Sequence, residues 1–117
     1  MILEVAVLNL RLGQEDAFEA AMREARPLIE ASPGVGRLEL RRCVEAPNRY
    51  LLLVTWRTVE DHTQGFRQSS RYQEWRKLLH PFYDPFPTVE HYGEPIGREE
   101  RPTNVDSYQP VDRNWPT

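Results

Sequence analysis

Two predicted strands have apolar side chains on both of their faces, and this restricts the folds open to the chain. In residues 2–12, ILEVAVLNLRL, alternate side chains point to opposite sides, and both sets are largely apolar: Ala6, Leu8, Leu10 and Leu12 on one side, and Leu3, Val5, Val7 and Asn9 on the other. Residues 49–57, RYLLLVTWR, repeat the pattern, with Tyr50, Leu52, Val54 and Trp56 on one face and Leu51 and Leu53 on the other. Each strand therefore has two surfaces that gain free energy by leaving water.

The first half of the chain also supplies a helix and a hairpin. Residues 14–31 form a predicted helix, because apolar side chains recur three and four positions apart: Phe18, Ala21, Met22, Ala25, Leu28 and Ile29. Pro27 lies inside this helix and predicts a kink, since proline removes a backbone hydrogen bond. Residues 36–45 alternate between apolar and charged side chains, and a turn at 46–48 joins them to residues 49–57 in a predicted hairpin.

Two short helical segments and a last strand follow the hairpin. Thr58 can cap the first segment, because an acidic residue stands three positions later. Ser69 or Ser70 can cap the second, which extends to about Leu79 and is stopped by the proline two residues further on. Residues 87–94 form the last predicted strand. The element order is therefore β-α-β-β-α-α-β.

This order predicts an α+β fold of the ferredoxin-like, split βαβ type. Right-handed crossovers would place both helical regions on one face of a four-stranded antiparallel sheet. The other face of such a sheet is normally polar, yet residues 2–12 and 49–57 are apolar there too. A second copy of the sheet would cover this face, and its burial would contribute about 25 cal/mol per Å². The sequence therefore predicts a homodimer, a dimeric α+β barrel packed sheet against sheet.

Length, charge and cysteine content argue against several classes of protein. The chain has 117 residues, the length of one domain, and no apolar run approaches the ~20 residues of a membrane helix. Its net charge of −3, with both signs interspersed, offers no basic face to nucleic acid. The N-terminus lacks a secretory pattern and Cys43 is the only cysteine. We therefore expect a cytoplasmic protein with no membrane or nucleic-acid partner.

The composition changes near residue 94 and divides the chain into two parts. Residues 1–93 contain every predicted element and form the α+β barrel domain. Residues 94–117 are charged and proline-bearing, without periodicity, and their apolar side chains are widely spaced: Ile96, Val105, Tyr108, Val111 and Trp115. We predict an extended C-terminal arm that packs on the partner subunit, with Tyr108 and Trp115 as its anchors. Packing on its own subunit is the alternative.

The element order, together with residues 54–92, VTWRTVEDHTQGFRQSSRYQEWRKLLHPFYDPFPTVEHY, resembles the antibiotic biosynthesis monooxygenase (ABM) family. The strongest part of the pattern is Trp56 in a strand, followed by a helix, then Ser69 and the run Tyr72-Gln73-Glu74-Trp75. The resemblance implies a dimeric α+β barrel with a pocket between the sheet and the helices of each monomer. Characterised relatives include cofactor-free monooxygenases that oxidise polycyclic phenols to quinones, while others degrade haem or act on small signalling molecules.

A cofactor-free oxygenase requires few catalytic groups from the protein, because the substrate itself reacts with oxygen. A phenol or hydroquinone must lose a proton, and its anion can then pass an electron to oxygen. The site must bind a flat apolar molecule, hold the developing anion and supply a base. The candidate catalytic residues are Asn9, His62, Tyr72 and Trp75. The candidate substrate-binding residues are Trp56, Phe66, Arg67, Phe82, Tyr83 and Phe86.

Each catalytic candidate also has a structural interpretation. Asn9 stands among Leu and Val side chains, where it either makes a buried hydrogen bond or points to solvent. Tyr72 and Trp75 stand at helical spacing, which is typical of core packing as well as of a pocket wall. His62 is of the residue type suited to proton transfer near neutrality, but a surface position on a short helix is its alternative. Arg67 could neutralise a phenolate or be simply solvated.

The stretch HPFYDPFPTVEHY, residues 80–92, combines histidines, prolines and aromatic side chains. The three histidines of the chain show no metal-ligand spacing and there is no cysteine pair, so we expect no metal. Pro85 and Pro87 stiffen an extended path, and the aromatic side chains would seal the pocket mouth or the subunit seam. The stretch is therefore predicted to join a helix to a strand, exclude water and shape the substrate site.

The sequence thus predicts a cofactor-independent monooxygenase that oxidises an aromatic phenol- or hydroquinone-like small molecule with O₂. Two alternatives stay open: a dimer that binds a small hydrophobic molecule without catalysis, and a haem-binding or haem-degrading protein. The haem-degrading relatives use an Asn on the first strand with a Trp and a His on the helices. Asn9 stands where such an Asn would and Trp75 is near one of the helix positions, but residues 74–76 contain no histidine.

Overall fold

The computed structural model describes residues 1–97 of the chain. The elements follow in the order β1 (Ile2–Asn9), α1 (Glu15–Glu30), β2 (Val35–Arg42), β3 (Arg49–Trp56), a π-helix (Asp61–Phe66), α2 (Ser70–Leu79), a 3-10 turn (His80–Phe82) and β4 (Val89–Tyr92). The anchors predicted for the C-terminal arm, Tyr108 and Trp115, lie outside the described residues. The division of the chain near residue 94 therefore stays a prediction.

All four strands belong to one antiparallel sheet in the order β2-β3-β1-β4. The central strand β1 pairs along its whole length with β3 and over four residues with the short edge strand β4. Ala6 of β1, for example, lies opposite Leu52 of β3 and Val89 of β4. The helices pack on one face of this sheet. The predicted α+β, ferredoxin-like fold class is confirmed.

The core lies between the helices and one face of the sheet. From β1 and β3 come side chains that are almost fully buried: Ala6, Leu8, Tyr50, Leu52, Val54 and Trp56. The predicted stripe of α1 meets them through its four buried members, Phe18, Met22, Ala25 and Ile29. Removal of this apolar surface from water is the dominant favourable term in folding. α1 continues through Pro27 to Glu30, and the kink expected there stays a prediction.

Three strands begin or end two or more residues inside the predicted bounds. β1 ends at Asn9, and although Leu10 is still buried, Leu12 is 81% exposed. The reason is the turn at Gly13, which has a positive φ of 83° and takes the chain away from the sheet. β2 ends at Arg42, so that Val44 is 90% exposed instead of core-facing. β4 begins only at Val89, after prolines that have no backbone N–H to donate.

The outer face of the sheet, which we define as Leu3, Val5, Val7, Leu51 and Leu53, is apolar as predicted. Four of these side chains are half-buried, and Val7 is 44% exposed. The register places Val5 opposite Leu53 and Val7 opposite Leu51, which makes the surface continuous across two strands. No helix of residues 1–97 packs on this face. Among the same residues, none of the helices is both long and apolar enough to cross a membrane.

Candidate active site

A cavity of about 330 Å³ lies between the core face of the sheet and the second helical region. Its floor consists of apolar strand residues: Ala6, Leu8, Leu52 and Val89. Its walls are largely aromatic and come from the π-helix, α2 and the segment before β4: Phe66, Tyr72, Trp75, Tyr83 and Phe86. Carboxyl, imidazole and guanidinium side chains also line it: Glu4, His62, Arg67 and His80. A volume of this size is within the range of small-molecule sites.

The aromatic wall is held by ring contacts and by a helix cap. Phe66 makes edge-to-face contacts with Tyr72 and Trp75, with ring centroids 5.5 and 5.7 Å apart. Ser69 begins α2 as its N-cap: its hydroxyl accepts a hydrogen bond from the Tyr72 N–H (3.3 Å) and donates one to the Phe66 carbonyl (2.6 Å). The cap therefore fixes the angle between the π-helix and α2, and with it the positions of all three rings.

Glu4 is a buried carboxyl group at the end of the cavity nearest the N-terminus of β1. It is only 4% exposed. Its Oε1 accepts a hydrogen bond from the indole Nε1 of Trp56 at 2.8 Å and lies 3.4 Å from Nε2 of His62. The His62 ring in turn stacks on Trp56, with centroids 5.1 Å apart and an interplanar angle of 18°. Trp56 thus lies behind the site and positions both groups.

His91 completes a line of three titratable groups. Nδ1 of His62 and Nε2 of His91 are 2.8 Å apart, which is hydrogen-bond distance. The antiparallel register of β1 and β4 explains the arrangement, because it places Glu4 directly opposite His91. His62 reaches the same place from the π-helix. We call Glu4, His62 and His91 the carboxyl–imidazole chain.

Burial determines the protonation of this chain. It lowers the pKa of His62 from 6.5 to about 3, and the nearby Arg67 guanidinium and His91 contribute in the same direction. Burial and Arg67 also lower the pKa of His91. For Glu4 burial is the largest effect and raises the pKa, against the hydrogen bond from Trp56 and the charge of Arg67, which lower it. At neutral pH both imidazoles are therefore uncharged, and each ring has one nitrogen that can donate a hydrogen bond and one that can accept it.

His80 and Tyr83 belong to the segment 80–92, which was predicted to connect a helix to a strand, and both line the cavity wall. The His80 ring lies 4.8 Å from Phe86 and 6.0 Å from Tyr72, both edge-to-face. Burial is the main cause that lowers the pKa of His80, and it likewise raises the pKa of Tyr83. Both side chains are therefore neutral near pH 7, and Arg67 is the cationic side chain of the described cavity lining.

The structure brings most of the predicted site residues together. The following line the cavity: His62, Phe66, Arg67, Tyr72, Trp75, Tyr83 and Phe86. Trp56 is fully buried behind His62. The surface position considered for His62 is wrong, since the side chain is 3% exposed. The π-helix turns its ring inwards, where stacking on Trp56 and the hydrogen bond to His91 hold it.

Two predicted residues lie elsewhere. Asn9 belongs to the outer face of the sheet by strand alternation, and its side-chain oxygen accepts a hydrogen bond from Nε of Arg49 at 3.2 Å. Phe82 packs edge-to-face on Phe18 of α1, with centroids 5.7 Å apart, and does not line the cavity. Asn9 is thus separated by the sheet itself from His62 and Trp75, which line the cavity.

Three site residues escaped prediction: Glu4, His80 and His91. Glu4 lies on the same side of its strand as Ala6 and Leu8. An acidic side chain among apolar, core-facing ones could therefore have identified Glu4 as a candidate site residue. His91 lies on a predicted strand, but its contact with His62 depends on the π-helix. Residues 1–97 contain no cluster of three His, Cys, Asp or Glu side chains suited to a metal ion.

Comparison with known proteins places the chain in a family. The profile described as antibiotic biosynthesis monooxygenase (ABM) matches residues 1–78. The uncharacterized protein YczJ of Bacillus subtilis (strain 168) is 53% identical over 92 residues, which is 79% of this chain and 97% of that protein. The chain therefore belongs to the antibiotic biosynthesis monooxygenase family.

Solved structures agree with this assignment. A Bordetella bronchiseptica protein, whose crystal structure is assigned to the antibiotic biosynthesis monooxygenases, is 41% identical, with a TM-score of 0.77 over 81% of this chain and 97% of its own. A Nitrosomonas europaea structure of the same assignment has 20% identity and a TM-score of 0.69, covering 80% of this chain and 98% of its own, and it supports the fold alone.

Proposed function

We propose that the protein is a cofactor-independent monooxygenase that oxidises a phenol- or hydroquinone-like aromatic molecule with O₂. The observation that supports it most directly is the carboxyl–imidazole chain at the edge of an aromatic-walled cavity. The walls suit a flat apolar ring, and the carboxyl group of the chain can take up a hydroxyl proton when it is ionised. Family membership supports a monooxygenase-type activity of this kind.

The chemistry divides into a step that the protein assists and steps that belong to the substrate. The phenolic O–H bond breaks, the proton goes to a basic group of the site, and the electron pair stays on the substrate oxygen. Arg67 lines the cavity and stabilises this anion. The anion then transfers an electron to O₂, and the two radicals combine into a peroxide anion, which takes up a proton to become a hydroperoxide. Loss of water from the peroxide leaves one oxygen atom in the quinone and the other in H₂O.

We further propose that the working form is a cytoplasmic homodimer that binds a small hydrophobic or aromatic molecule in each subunit. The apolar outer face of the sheet supports the dimer, because a second copy would cover Val5, Leu51 and Leu53. Cys43, the only cysteine, supports a reducing compartment. The chemistry proposed here uses no metal or organic cofactor.

Oxygen uptake by the purified protein tests the proposal. A panel of anthrones and hydroquinones is incubated with it, and consumption above the autoxidation blank is expected for at least one compound. His62→Gln should lower kcat about 100-fold, since it removes a proton-transfer group, while Gln64→Ala, on an exposed neighbour in the same π-helix, should not. No uptake across the panel would dismiss the oxygenase.

A binding function is the second candidate, and the apolar floor and walls of the cavity favour it. A protein of this kind would retain a small hydrophobic ligand without converting it. Native mass spectrometry of the purified protein would then show a mass increment that Trp75→Ala removes, and no compound of the panel would be turned over.

A further inference from the structure

Glu4, His62 and His91 form a continuous path from the cavity to the protein surface. Glu4 lines the cavity, His62 is buried, and His91 is half-buried on the edge strand β4. We propose that Glu4 takes the hydroxyl proton of the substrate and that His62 and His91 pass it to solvent. This inference rests on the proposed function and deepens it, because it assigns the base and the route by which the proton leaves.

Glu4 is placed to act on a ligand. Its Oε1 receives the Trp56 hydrogen bond and faces His62. Within residues 1–97, its Oε2 makes no hydrogen bond, although the side chain is 4% exposed and lines the cavity. A carboxyl oxygen in the cavity lining can accept a hydrogen bond from a bound ligand. A substrate hydroxyl in the cavity would supply the missing partner.

The path has two states in which every contact is a proper donor–acceptor pair. When Glu4 is ionised, His62 Nε2–H points to Oε1 and His91 Nε2–H donates to Nδ1 of His62. When Glu4 is protonated, its O–H points to Nε2 of His62, and His62 Nδ1–H donates to Nε2 of His91. The two states differ by one proton, and both imidazoles change tautomer between them. The 3.4 and 2.8 Å separations accommodate either state.

The groups around the path keep the imidazoles neutral in both states. Arg67, which follows the π-helix, disfavours a charged ring at His62 and at His91, in addition to burial. From β3, Trp56 donates to Glu4. Glu4 also faces Tyr83, whose raised pKa, due first to burial and then to Glu4, keeps the phenol uncharged. Each ring therefore gains a proton on one nitrogen as it loses one from the other, and neither ring becomes charged.

The proton step is balanced in atoms and electrons. The substrate O–H bond breaks, an O–H bond forms on Glu4, and the electron pair stays on the substrate oxygen. The carboxyl group then turns its protonated oxygen towards His62. Its proton moves to Nε2 of His62 while the Nδ1 proton of that ring moves to Nε2 of His91. His91 releases its own Nδ1 proton to water, which leaves Glu4 ionised and both rings in the Nε2–H tautomer. The path runs in the opposite direction when the peroxide anion needs a proton: water protonates Nδ1 of His91, the Nε2 proton of His91 moves to Nδ1 of His62, and the Nε2 proton of His62 moves to Glu4, which passes it to the peroxide. Glu4 is then ionised and both rings are again in the Nδ1–H tautomer that the next outward transfer requires.

Ring ¹⁵N spectroscopy tests the path without any substrate. Long-range ¹H–¹⁵N correlation spectra of the full-length protein are recorded across the pH range in which it is folded. We expect both rings to change from the Nδ1–H to the Nε2–H tautomer together, at one pH above 4.5, the ordinary pKa of a glutamate. Glu4→Gln keeps an oxygen for Trp56 and should abolish the change. Tautomers that stay fixed, or that change at different pH values, would overturn the relay.

Turnover provides a second, separable test. His91→Phe keeps a ring in place and should lower kcat at least 10-fold with little change in KM, and added imidazole should restore most of the loss. Glu90→Gln, on the exposed neighbour, should leave kcat unchanged. A kcat of His91→Phe equal to that of the wild type contradicts the relay while leaving the oxygenase intact. Joint tautomer exchange without turnover of any substrate would instead contradict the oxygenase alone.

Discussion

At the residue scale, His62 shows how surroundings change the chemistry of a side chain. An exposed imidazole titrates near 6.5, but here burial, Arg67 and His91 all oppose the charged form. The ring keeps one contact on each of its nitrogen atoms, at 2.8 Å to His91 and 3.4 Å to Glu4. A buried ring that is neutral and contacted on both sides is suited to proton transfer rather than to ion pairing.

The lowered pKa of His62 predicts how stability depends on pH. The unfolded chain binds a proton near pH 6.5 and the folded chain only near pH 3, so this contribution is complete above 6.5 and is lost as the pH falls towards 3. Glu4 acts in the opposite direction: its raised pKa stabilises the fold at low pH, and that contribution is lost as the pH rises through the folded value. We expect His62 to dominate between pH 6.5 and 5.

Chemical denaturation at pH 7, 6 and 5 measures this effect. The unfolding free energy of the wild type should fall with decreasing pH more steeply than that of His62→Gln, by about 1 kcal/mol per pH unit. His80→Gln serves as control, because His80 is only half-buried and its lowered pKa should change the slope less. Equal slopes for wild type and His62→Gln would show that His62 titrates normally in the folded protein.

The residue scale is also where sequence reasoning was least complete. Strand alternation correctly grouped Tyr50 and Trp56 on one face, which the structure shows to be the core face, because a period of two is a property of the backbone. The same alternation assigns Asn9 to the outer face, away from the cavity, and Glu4 to the core. Asn9 was chosen as a candidate because it is polar, but its position in the alternation shows that it points away from the cavity. Side-chain contacts such as Glu4 to His62 join distant parts of the chain, which no local pattern encodes.

At the element scale, the π-helix determines the shape of the site. Thr58 Oγ1 accepts a hydrogen bond from the Asp61 N–H at 3.1 Å, close to the cap that the sequence indicated. The sequence predicted an ordinary short helix there, but the wider turn buries both His62 and Phe66. Such segments are rare and often occur at functional sites. Helical periodicity assumes 3.6 residues per turn, so it could not predict which side chains a π-helix buries.

The cap of α2 gives a prediction at this scale. The sequence left Ser69 and Ser70 as equal candidates, and the structure assigns the cap to Ser69. Ser69→Ala should lower the unfolding free energy by about 1 kcal/mol, because it removes the acceptor for the Tyr72 N–H. Ser70→Ala is the matched control and should change it by less than about 0.5 kcal/mol, since Ser70 is exposed. Equal losses in urea denaturation would contradict the assignment.

At the scale of the whole molecule, the outer face of the sheet is the feature that a single chain leaves unexplained. Its side chains are aligned across β1 and β3 by the register, with Val5 facing Leu53 and Val7 facing Leu51. Antiparallel sheets with helices on one side normally present polar side chains to water on the other. Contiguous apolar surfaces of this kind typically mark protein–protein contacts. A second copy of the chain has the same surface and can bury it by symmetry.

If the outer face is the dimer interface, one charged side chain placed on it should change the oligomeric state. Light scattering of the wild type at micromolar concentration should give twice the 13.8 kDa mass of the chain. Leu53→Glu should give a monomer, because the dimer would have to bury an unpaired carboxylate at a cost of several kcal/mol. Leu12→Glu introduces the same charge at an 81% exposed position outside the sheet and should remain dimeric. A monomeric wild type would leave the apolar outer face without a function and would remove the dimer from the proposal.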